Sequence, residues 1–145
     1  MRILILCTGN SCRSQMAQGF LKSFDSRLEV YSAGTKPVAE VNRLAIKVMA
    51  EANIDISHER PEPVDIYLKE EWDYVITVCD EANETCPFFP GKVKHRLHMG
   101  FEDPSKAKGR PEHIMNEFRK TRDLIAVSFH KFYTSQIKPY FNEKK

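Results

Sequence analysis

Long hydrophobic runs are missing from this sequence of 145 residues. The first apolar run, residues 3–6, is far shorter than the stretch of about 7–15 residues that a secretory signal peptide needs. No run approaches the roughly 18 apolar residues of a membrane-spanning helix, and residues 142–145 carry no lipidation motif. We therefore expect a cytoplasmic protein without a membrane partner.

An excess of charge of one sign is also missing. The 22 Lys and Arg residues nearly balance the 20 Asp and Glu residues, and the formal net charge of +2 is scattered along the chain. This balance argues against nucleic acid as a partner and favours a small-molecule or protein substrate. Repeats and low-complexity linkers are absent, and the length and the 41% of hydrophobic residues suit one ordinary domain over residues 1–145.

Cysteine is scarce, which excludes a disulfide-rich scaffold. The four cysteines are Cys7, Cys12, Cys79 and Cys86. In a reducing compartment, cysteines serve as metal ligands, nucleophiles or redox groups rather than as a permanent disulfide framework. Four and six residues separate the members of the two pairs, whereas about two to four usually separate paired zinc ligands. We expect no metal and no other cofactor, and nothing sets the five histidines apart as ligands or catalytic groups.

Strand and helix patterns alternate along the chain. Short apolar runs predict strands at residues 2–6, 28–32, 74–78 and 93–97. Helical spacing of apolar side chains predicts helices at residues 16–24, 40–52, 64–70 and 111–134, with an end that frays beyond Pro139. This alternation predicts an α/β fold, a single three-layer domain with a roughly four-stranded parallel sheet. In such sheets ligands bind at the carboxyl ends of the strands.

The loop after the first strand has the composition of an anion-binding cradle. Cys7 ends the strand, a small polar loop follows, and Arg13 precedes a helix. A loop that leads into a helix N-terminus directs several backbone N–H groups and the positive end of the helix dipole at one point. Arg13 adds a planar pair of donors for two anion oxygens. We predict that an oxyanion binds to Thr8, Gly9, Asn10, Ser11, Cys12, Arg13 and Ser14.

The same surroundings favour a thiolate at Cys7. A thiol with an ordinary pKa of about 8.5 is only a few per cent ionised at neutral pH, and a helix N-terminus with one nearby cation can lower that pKa by roughly two units. Ser14 can add a hydrogen bond to the sulfur. The plainer interpretation is that Cys7 is a small buried side chain and that Ser11 caps an ordinary turn.

These motifs resemble those of a known family. The pattern Cys-x5-Arg-Ser after the first strand, with Asp103 and Pro104 late in the chain, resembles the low-molecular-weight protein tyrosine phosphatases over the whole length. More narrowly, the run CTGNSCRSQMA, the segment 78–87 and the segment 100–104 resemble the thioredoxin-coupled arsenate reductases that are built on that fold.

The resemblance implies a role for five side chains. Cys7 is the nucleophile, Arg13 and the loop backbone hold the oxyanion, and Asp103 is the acid/base group. Cys79 and Cys86 form a redox relay that thioredoxin reduces. Taken without the resemblance, Cys79 also suits a core position, and Asp103 before a proline also suits a helix start.

Thiol chemistry distinguishes the reductases from the phosphatases. A phosphatase needs only Cys7, Arg13 and Asp103, because water releases phosphate from the cysteinyl intermediate. Arsenic(V) on Cys7 can instead be reduced, since a second thiolate attacks the sulfur and arsenite leaves with two electrons. Arsenate reductase is therefore the first hypothesis, and a tyrosine phosphatase is the alternative. A third hypothesis is a non-catalytic redox or oxyanion sensor that signals through a Cys79–Cys86 disulfide.

The chain departs from these relatives at a few positions. Potassium-stimulated reductases of the group have acidic residues at two positions near the cradle. Gln18 stands at the first of these positions, and Glu62 aligns only loosely with the second, so we do not expect a potassium site. Gln15 stands where the phosphatases have proline, and Ser105 where they have an aromatic residue. Residues 105–113 form a longer loop than is usual for the group, and the sequence assigns no function to it.

Overall fold

The alternating pattern folds into one parallel sheet. A computed structural model describes residues 1–84 and 86–143. Its strands are β1 (Arg2–Cys7), β2 (Glu29–Gly34), β3 (Trp72–Thr77) and β4 (Val93–His98). The spatial order is β2-β1-β3-β4, and every neighbouring pair is parallel. The predicted α/β fold with a four-stranded parallel sheet is confirmed.

Five α-helices accompany the sheet in the part of the chain that the structure describes. They are α1 (Arg13–Phe24), α2 (Arg43–Glu51), α3 (Asp80–Glu84), α4 (Pro111–Phe132) and α5 (Lys138–Glu143). Single 3₁₀ turns lie at Val64–Tyr67 and Pro104–Lys106. The predicted helix at residues 64–70 is thus wrong in type and length. The polar segment after Cys79 contains α3, for which the sequence predicted no helix.

The continuous apolar run of β1 is explained by burial on both faces. Ile3 and Ile5 pack into a core cluster with side chains of α1, α2 and α4. Leu4 and Leu6 point to the opposite face and pack with Trp72 and other side chains in a second, smaller cluster. Successive side chains of a strand alternate between faces, so a strand that is covered on both sides needs apolar residues throughout.

Element ends shift from the predicted positions for local reasons. Helix α2 begins at Arg43 rather than at residue 40, because the side chain of Asn42 caps it and accepts a hydrogen bond from the backbone N of Leu44 at 2.8 Å. The expected fraying beyond Pro139 is wrong: a π-helical turn at Tyr133–Ile137 leads into α5, which continues to Glu143. The wider turn precedes a proline that cannot donate the hydrogen bond of a regular helix.

The sheet order places the site. β1 lies between β2 and β3, so the connection from β1 to β2 and the connection from β2 to β3 run in opposite directions across the sheet. The boundary between β1 and β3 is therefore a switch point. Ligands bind at such points beyond the carboxyl ends of the strands. The cradle follows β1 and Cys79 follows β3, so the two predicted site segments lie side by side.

Candidate active site

The cradle presents its N–H groups because its carbonyl groups are held from outside. The N–H groups of Thr35, Lys36 and Val38 donate to the carbonyl oxygens of residues 7, 8 and 9 at 3.2, 2.9 and 3.1 Å. Within the described part of the chain, the backbone N–H groups of residues 9–13 donate to no protein acceptor. The peptide planes are therefore fixed, and these N–H groups stay unpaired among the described residues.

Asn10 shapes the cradle from within the core. Its φ of 52° lies in the left-handed region, which asparagine tolerates better than most residues. The buried amide Nδ2 donates to the hydroxyls of Ser14 at 2.8 Å and Ser32 at 2.9 Å, and Oδ1 accepts from the backbone N of Glu62 at 2.9 Å. Ser14 is thus an acceptor for Asn10, and its predicted hydrogen bond to the Cys7 sulfur stays a prediction.

Helix α1 begins without a side-chain cap. Its N-cap residue is Cys12, and no side-chain hydrogen bond caps it among the described residues. The alternative interpretation, an ordinary turn capped by Ser11, is therefore wrong. A helix start that leaves its N–H groups unpaired keeps the positive end of the helix dipole available for an anion.

Arg13 is anchored beside the cradle with one donor left over. Its Nη1 donates to the carbonyl of Phe101 at 2.9 Å, and Nη2 lies 3.6 Å from Oδ2 of Asp103. Its Nε is buried and has no acceptor among the described residues. A buried donor without an acceptor is costly unless a ligand accepts from it. Arg13 is thus arranged to bind an anion.

Cys7 and Cys79 meet at the switch point and share a hydrogen bond. This bond lowers the pKa of Cys79 to about 5, helped by the hydroxyl of Thr8 at 3.4 Å and the backbone N–H of Ala82. The same bond and burial raise the pKa of Cys7. The expected low pKa of Cys7 is not found in the unliganded pair, because the neighbouring Cys79 and burial both oppose the ionisation of Cys7.

Asp103 has two contacts that suit different interpretations. Its Oδ1 accepts from the backbone N of Ser105 at 3.0 Å and caps the 3₁₀ turn, as the plain interpretation predicted. Its Oδ2 faces Arg13. Asp103 also lines a cavity of about 460 Å³ over the cradle, whose other walls include Thr8, Arg13, Cys79, Asp80, Glu81, Phe101, Glu102 and Lys106. Capping therefore holds the carboxyl group at the site entrance.

Cys86 does not lie with the other site cysteines. Cys79 belongs to the core cluster on the helical face of the sheet, whereas Cys86 packs half-buried against the second cluster on the opposite face. Helix α3 lies between them in sequence. A disulfide needs Cα atoms roughly 4.4–6.8 Å apart, so a Cys79–Cys86 bond requires this segment to refold.

Two functional contacts escaped the sequence. His98, at the carboxyl end of β4, lies 2.8 Å from the hydroxyl of Thr77 and 3.0 Å from Oδ1 of Asp80, so it ties α3 to the sheet. The carbonyl of Phe101 anchors Arg13. His98 directly follows a predicted strand at the edge where ligands bind, so its role could have been predicted from the sequence. The contact of Arg13 with a backbone carbonyl could not, because every residue has such a group.

A model of the family described as low molecular weight phosphotyrosine protein phosphatase matches residues 2–139. The chain belongs to this family. An arsenate reductase of Shouchella clausii (strain KSM-K16) is 46% identical over 131 residues, which cover 90% of this chain and 93% of that relative. The predicted resemblance to the arsenate reductases of the phosphatase family is confirmed.

Solved structures agree with this grouping. A structure described as an arsenate reductase in the phosphate binding state has a TM-score of 0.75 at 26% identity, and the match covers 92% of this chain and 96% of that one. A Corynebacterium glutamicum thioredoxin-dependent arsenate reductase has a TM-score of 0.57 at 28% identity, with 89% of this chain and 61% of that one covered. No helix in the described residues is long and apolar enough to cross a membrane.

The expectation of no potassium site stays a prediction, and the structure shows how Gln18 is held. Ser32 donates a short hydrogen bond to Oε1 of Gln18, and Nε2 of Gln18 donates to the carbonyl of Val30 at 3.2 Å. Gln18 therefore contributes a neutral amide to this network and no negative charge. The buried network around Asn10 is closed by neutral groups.

Proposed function

We propose that this protein reduces arsenate to arsenite through a relay of Cys7, Cys79 and Cys86. The observation that carries the proposal is the Cys7–Cys79 pair, in which a second thiol lies beside the cradle thiol and has its pKa lowered to about 5. A hydrolase has no use for this second sulfur. The curated relatives named arsenate reductases support the same substrate.

The cradle binds the oxyanion and directs its arsenic toward Cys7. The unpaired backbone N–H groups of residues 9–13 and the Nε–H group of Arg13 donate hydrogen bonds to the oxygens of the anion. Phosphate has nearly the same shape and charge, and a related reductase has been solved in a phosphate binding state. The site therefore recognises a tetrahedral oxyanion and leaves the choice between arsenate and phosphate to the redox chemistry.

The first step forms a sulfur–arsenic bond. Cys7 attacks arsenic, one oxygen leaves as hydroxide, and the proton that Cys7 carried joins it as water. Asp103, held at the entrance by its cap, transfers this proton. Because the proton comes from Cys7 itself, Cys79 stays a thiolate throughout the step.

The second step reduces arsenic. The Cys79 thiolate attacks the sulfur of Cys7, the sulfur–arsenic bond breaks, and its electron pair leaves with arsenic as arsenite. Two cysteines are oxidised to one Cys7–Cys79 disulfide while arsenic(V) becomes arsenic(III). Cys86 then attacks the sulfur of Cys79, and Cys7 leaves as a thiolate.

The remaining Cys79–Cys86 disulfide requires an external dithiol. We propose thioredoxin in this role, and the similarity to a thioredoxin-dependent arsenate reductase supports it. Such a cycle also requires thiols that are kept reduced, a condition that the cytoplasm provides. The enzyme then needs no metal or organic cofactor, because the electrons travel through sulfur alone.

Phosphatase activity is the second candidate function. Family membership and the anion cradle with Arg13 and Asp103 favour it, since these groups suffice to hydrolyse a phosphomonoester. We expect this hydrolysis to be slow, because Cys7 is a hydrogen-bond donor to Cys79 in the resting pair and no aromatic side chain lines the cavity other than Phe101 among the described residues.

The test measures how many molecules of arsenite each enzyme molecule forms when Cys86 is replaced in the variant Cys86→Ser. This variant keeps the first two steps, so it should form about one arsenite per enzyme and stop as a Cys7–Cys79 disulfide, whereas the wild type turns over repeatedly with thioredoxin and its reductase. Cys7→Ser should form none. Mass spectrometry after thiol alkylation identifies the disulfide.

Two results would count against the proposal. Repeated turnover of Cys86→Ser with thioredoxin would remove Cys86 from the relay. Rapid hydrolysis of p-nitrophenyl phosphate by the same preparation, without arsenite formation, would make the protein a phosphatase. The rate of the first turnover in Cys86→Ser serves as the internal control for folding, since it should equal that of the wild type.

A further inference from the structure

Cys86 sits in surroundings that oppose its ionisation. The side chain is half-buried against the second core cluster, and this burial raises the pKa of its thiol. Thiol–disulfide exchange requires a thiolate as the attacking group. If Cys86 resolves the Cys7–Cys79 disulfide, a neighbouring group must stabilise the Cys86 thiolate.

Arg96 is the cation placed to do this. Its Nη1 lies 3.9 Å from the sulfur of Cys86, within the range of a hydrogen bond to sulfur. Its guanidinium carbon lies 5.3 Å from the centre of the Phe89 ring, so a cation–π contact orients the group. Arg96 is rooted in β4 opposite Val75 of β3, which fixes its backbone.

Arg96 supplies the charge that acts on Cys86 within the described residues. Lys94 lies two positions earlier on the same strand, but its ammonium pairs with Asp73 at 3.2 Å. A guanidinium remains charged at every pH at which an enzyme works, so its effect on the thiol does not titrate away. The contact therefore acts on Cys86 across the whole working range.

We propose that Arg96 is a positioning residue that holds Cys86 and stabilises its thiolate in the resting enzyme, before the segment after Cys79 refolds and Cys86 enters the second thiol exchange. The proposal rests on the proposed function. In this exchange the Cys86 thiolate attacks the sulfur of Cys79, a Cys79–Cys86 bond forms, and the Cys7–Cys79 bond breaks. Cys7 leaves as a thiolate, so negative charge is conserved and no external oxidant or reductant takes part.

The experiment is a single turnover of reduced enzyme with arsenate and without thioredoxin, quenched with acid at successive times. Disulfides are identified by mass spectrometry, so formation of Cys7–Cys79 and its conversion to Cys79–Cys86 appear as two phases. With Arg96→Gln the first phase should keep its rate. The second should slow about three- to tenfold at neutral pH, with its pH profile moved upward by about half to one unit, as expected when a nearby cation is removed from a thiol.

Three measurements separate this role from general damage to the fold. Arg96→Lys keeps the charge and should retain most of the wild-type rate of the second phase. Lys94→Gln removes a charge of the same sign from the same strand and should change neither phase. The alkylation rate of Cys86 in the reduced protein should show the same upward shift with pH in Arg96→Gln.

The outcomes distinguish the two proposals. An unchanged pH profile for Arg96→Gln, or an Arg96→Lys variant as slow as Arg96→Gln, would overturn the role of Arg96. Absence of arsenite and of both disulfides in the wild type would overturn the proposed function instead. The alkylation profile of Cys86 would still decide then whether Arg96 stabilises its thiolate.

Discussion

At the scale of single residues, the site divides labour between two sulfurs. The sequence singled out Cys7 as the group whose surroundings should favour a thiolate. In the structure the pKa of Cys79 is instead the lowered one, and that of Cys7 is raised. For a relay this order is useful, because Cys7 brings the proton that the departing oxygen needs and Cys79 is already charged for the reduction step.

Removing the hydrogen-bond donor should therefore raise the pKa of Cys79. In Cys7→Ala the largest stabilising contact of the Cys79 thiolate is lost, so its pKa should rise from about 5 toward the ordinary thiol value. Titration of thiolate absorbance in the ultraviolet measures the change. Cys86→Ser is the control, since Cys86 packs on the other face of the sheet, and it should leave the low-pH transition in place. A transition that persists in Cys7→Ala would show that Cys7 does not set this pKa.

At the scale of elements, contiguous patterns were predictable and contacts between distant segments were not. The cradle is one run of residues between a strand and a helix, so the sequence predicted its place in the fold, and its role in anion binding stays a prediction. Cys79 was predictable because the alternation of strands and helices brings strand ends together. Arg96 and the Phe101 carbonyl act across the sheet edge, and only the three-dimensional arrangement brings them to Cys86 and Arg13.

The contacts of Gly34 with the cradle were also not predictable from the sequence. The sequence indicated only that it ends a strand, but a Cβ atom at this position would lie 2.5 Å from the carbonyl oxygen of Thr8 and 3.1 Å from Cβ of Asn10. Real Cβ atoms do not approach a carbonyl oxygen so closely, and both neighbours belong to the cradle. The end of β2 must therefore lack a side chain for the cradle to keep its shape.

Gly34→Ala should damage anion binding more than overall stability. The added methyl group displaces the cradle, so we expect the dissociation constant for inorganic phosphate to rise by more than about tenfold, with overpacking costing roughly 1–3 kcal/mol of stability. Isothermal titration calorimetry and thermal denaturation measure the two effects. Gly9→Ala is the matched comparison, because its Cβ has ordinary contacts of 3.5 and 3.6 Å, and it should weaken binding less. Equal losses in both variants would contradict the steric argument.

At the scale of the whole molecule, the cysteines of the proposed relay lie on both faces of the sheet. The oxyanion chemistry takes place beside the large cluster that α1, α2 and α4 cover, whereas Cys86 waits on the face of the small cluster. Helix α3 lies between Cys79 and Cys86 in the chain, so we expect a rearrangement there to join the two cysteines. The cradle, rooted in β1 and α1, can stay rigid through the cycle, so anion binding and disulfide transfer do not compete for the same structural elements.

The rigid part is also secured at its far end. Asp25, directly after α1, is buried and accepts hydrogen bonds from Nη2 of Arg27 at 2.7 Å and from the hydroxyl of Tyr133 at 2.9 Å. Tyr133 begins the turn that carries the chain into α5. One carboxylate thus fastens the end of the cradle helix to the C-terminal helices.

Asp25 should make the stability of the whole fold depend on pH. The hydrogen bonds from Arg27, with that from Tyr133, hold the pKa of this carboxyl well below its usual range. Because the folded-state pKa is the lower one, the stabilisation is complete above the unfolded-state pKa of about 3.9 and is lost as the pH falls through the folded-state value.

Asp25→Asn should therefore lower the free energy of unfolding by about 1–2 kcal/mol at pH 7, the amount expected when hydrogen bonds to a charged group are weakened. The difference from wild type should shrink as the pH falls below about 4. Urea denaturation at a series of pH values measures it, and Glu40→Gln, at an exposed position, is the control. A difference that stays constant down to low pH would mean that the carboxylate charge does not fasten α1 to the C-terminal helices.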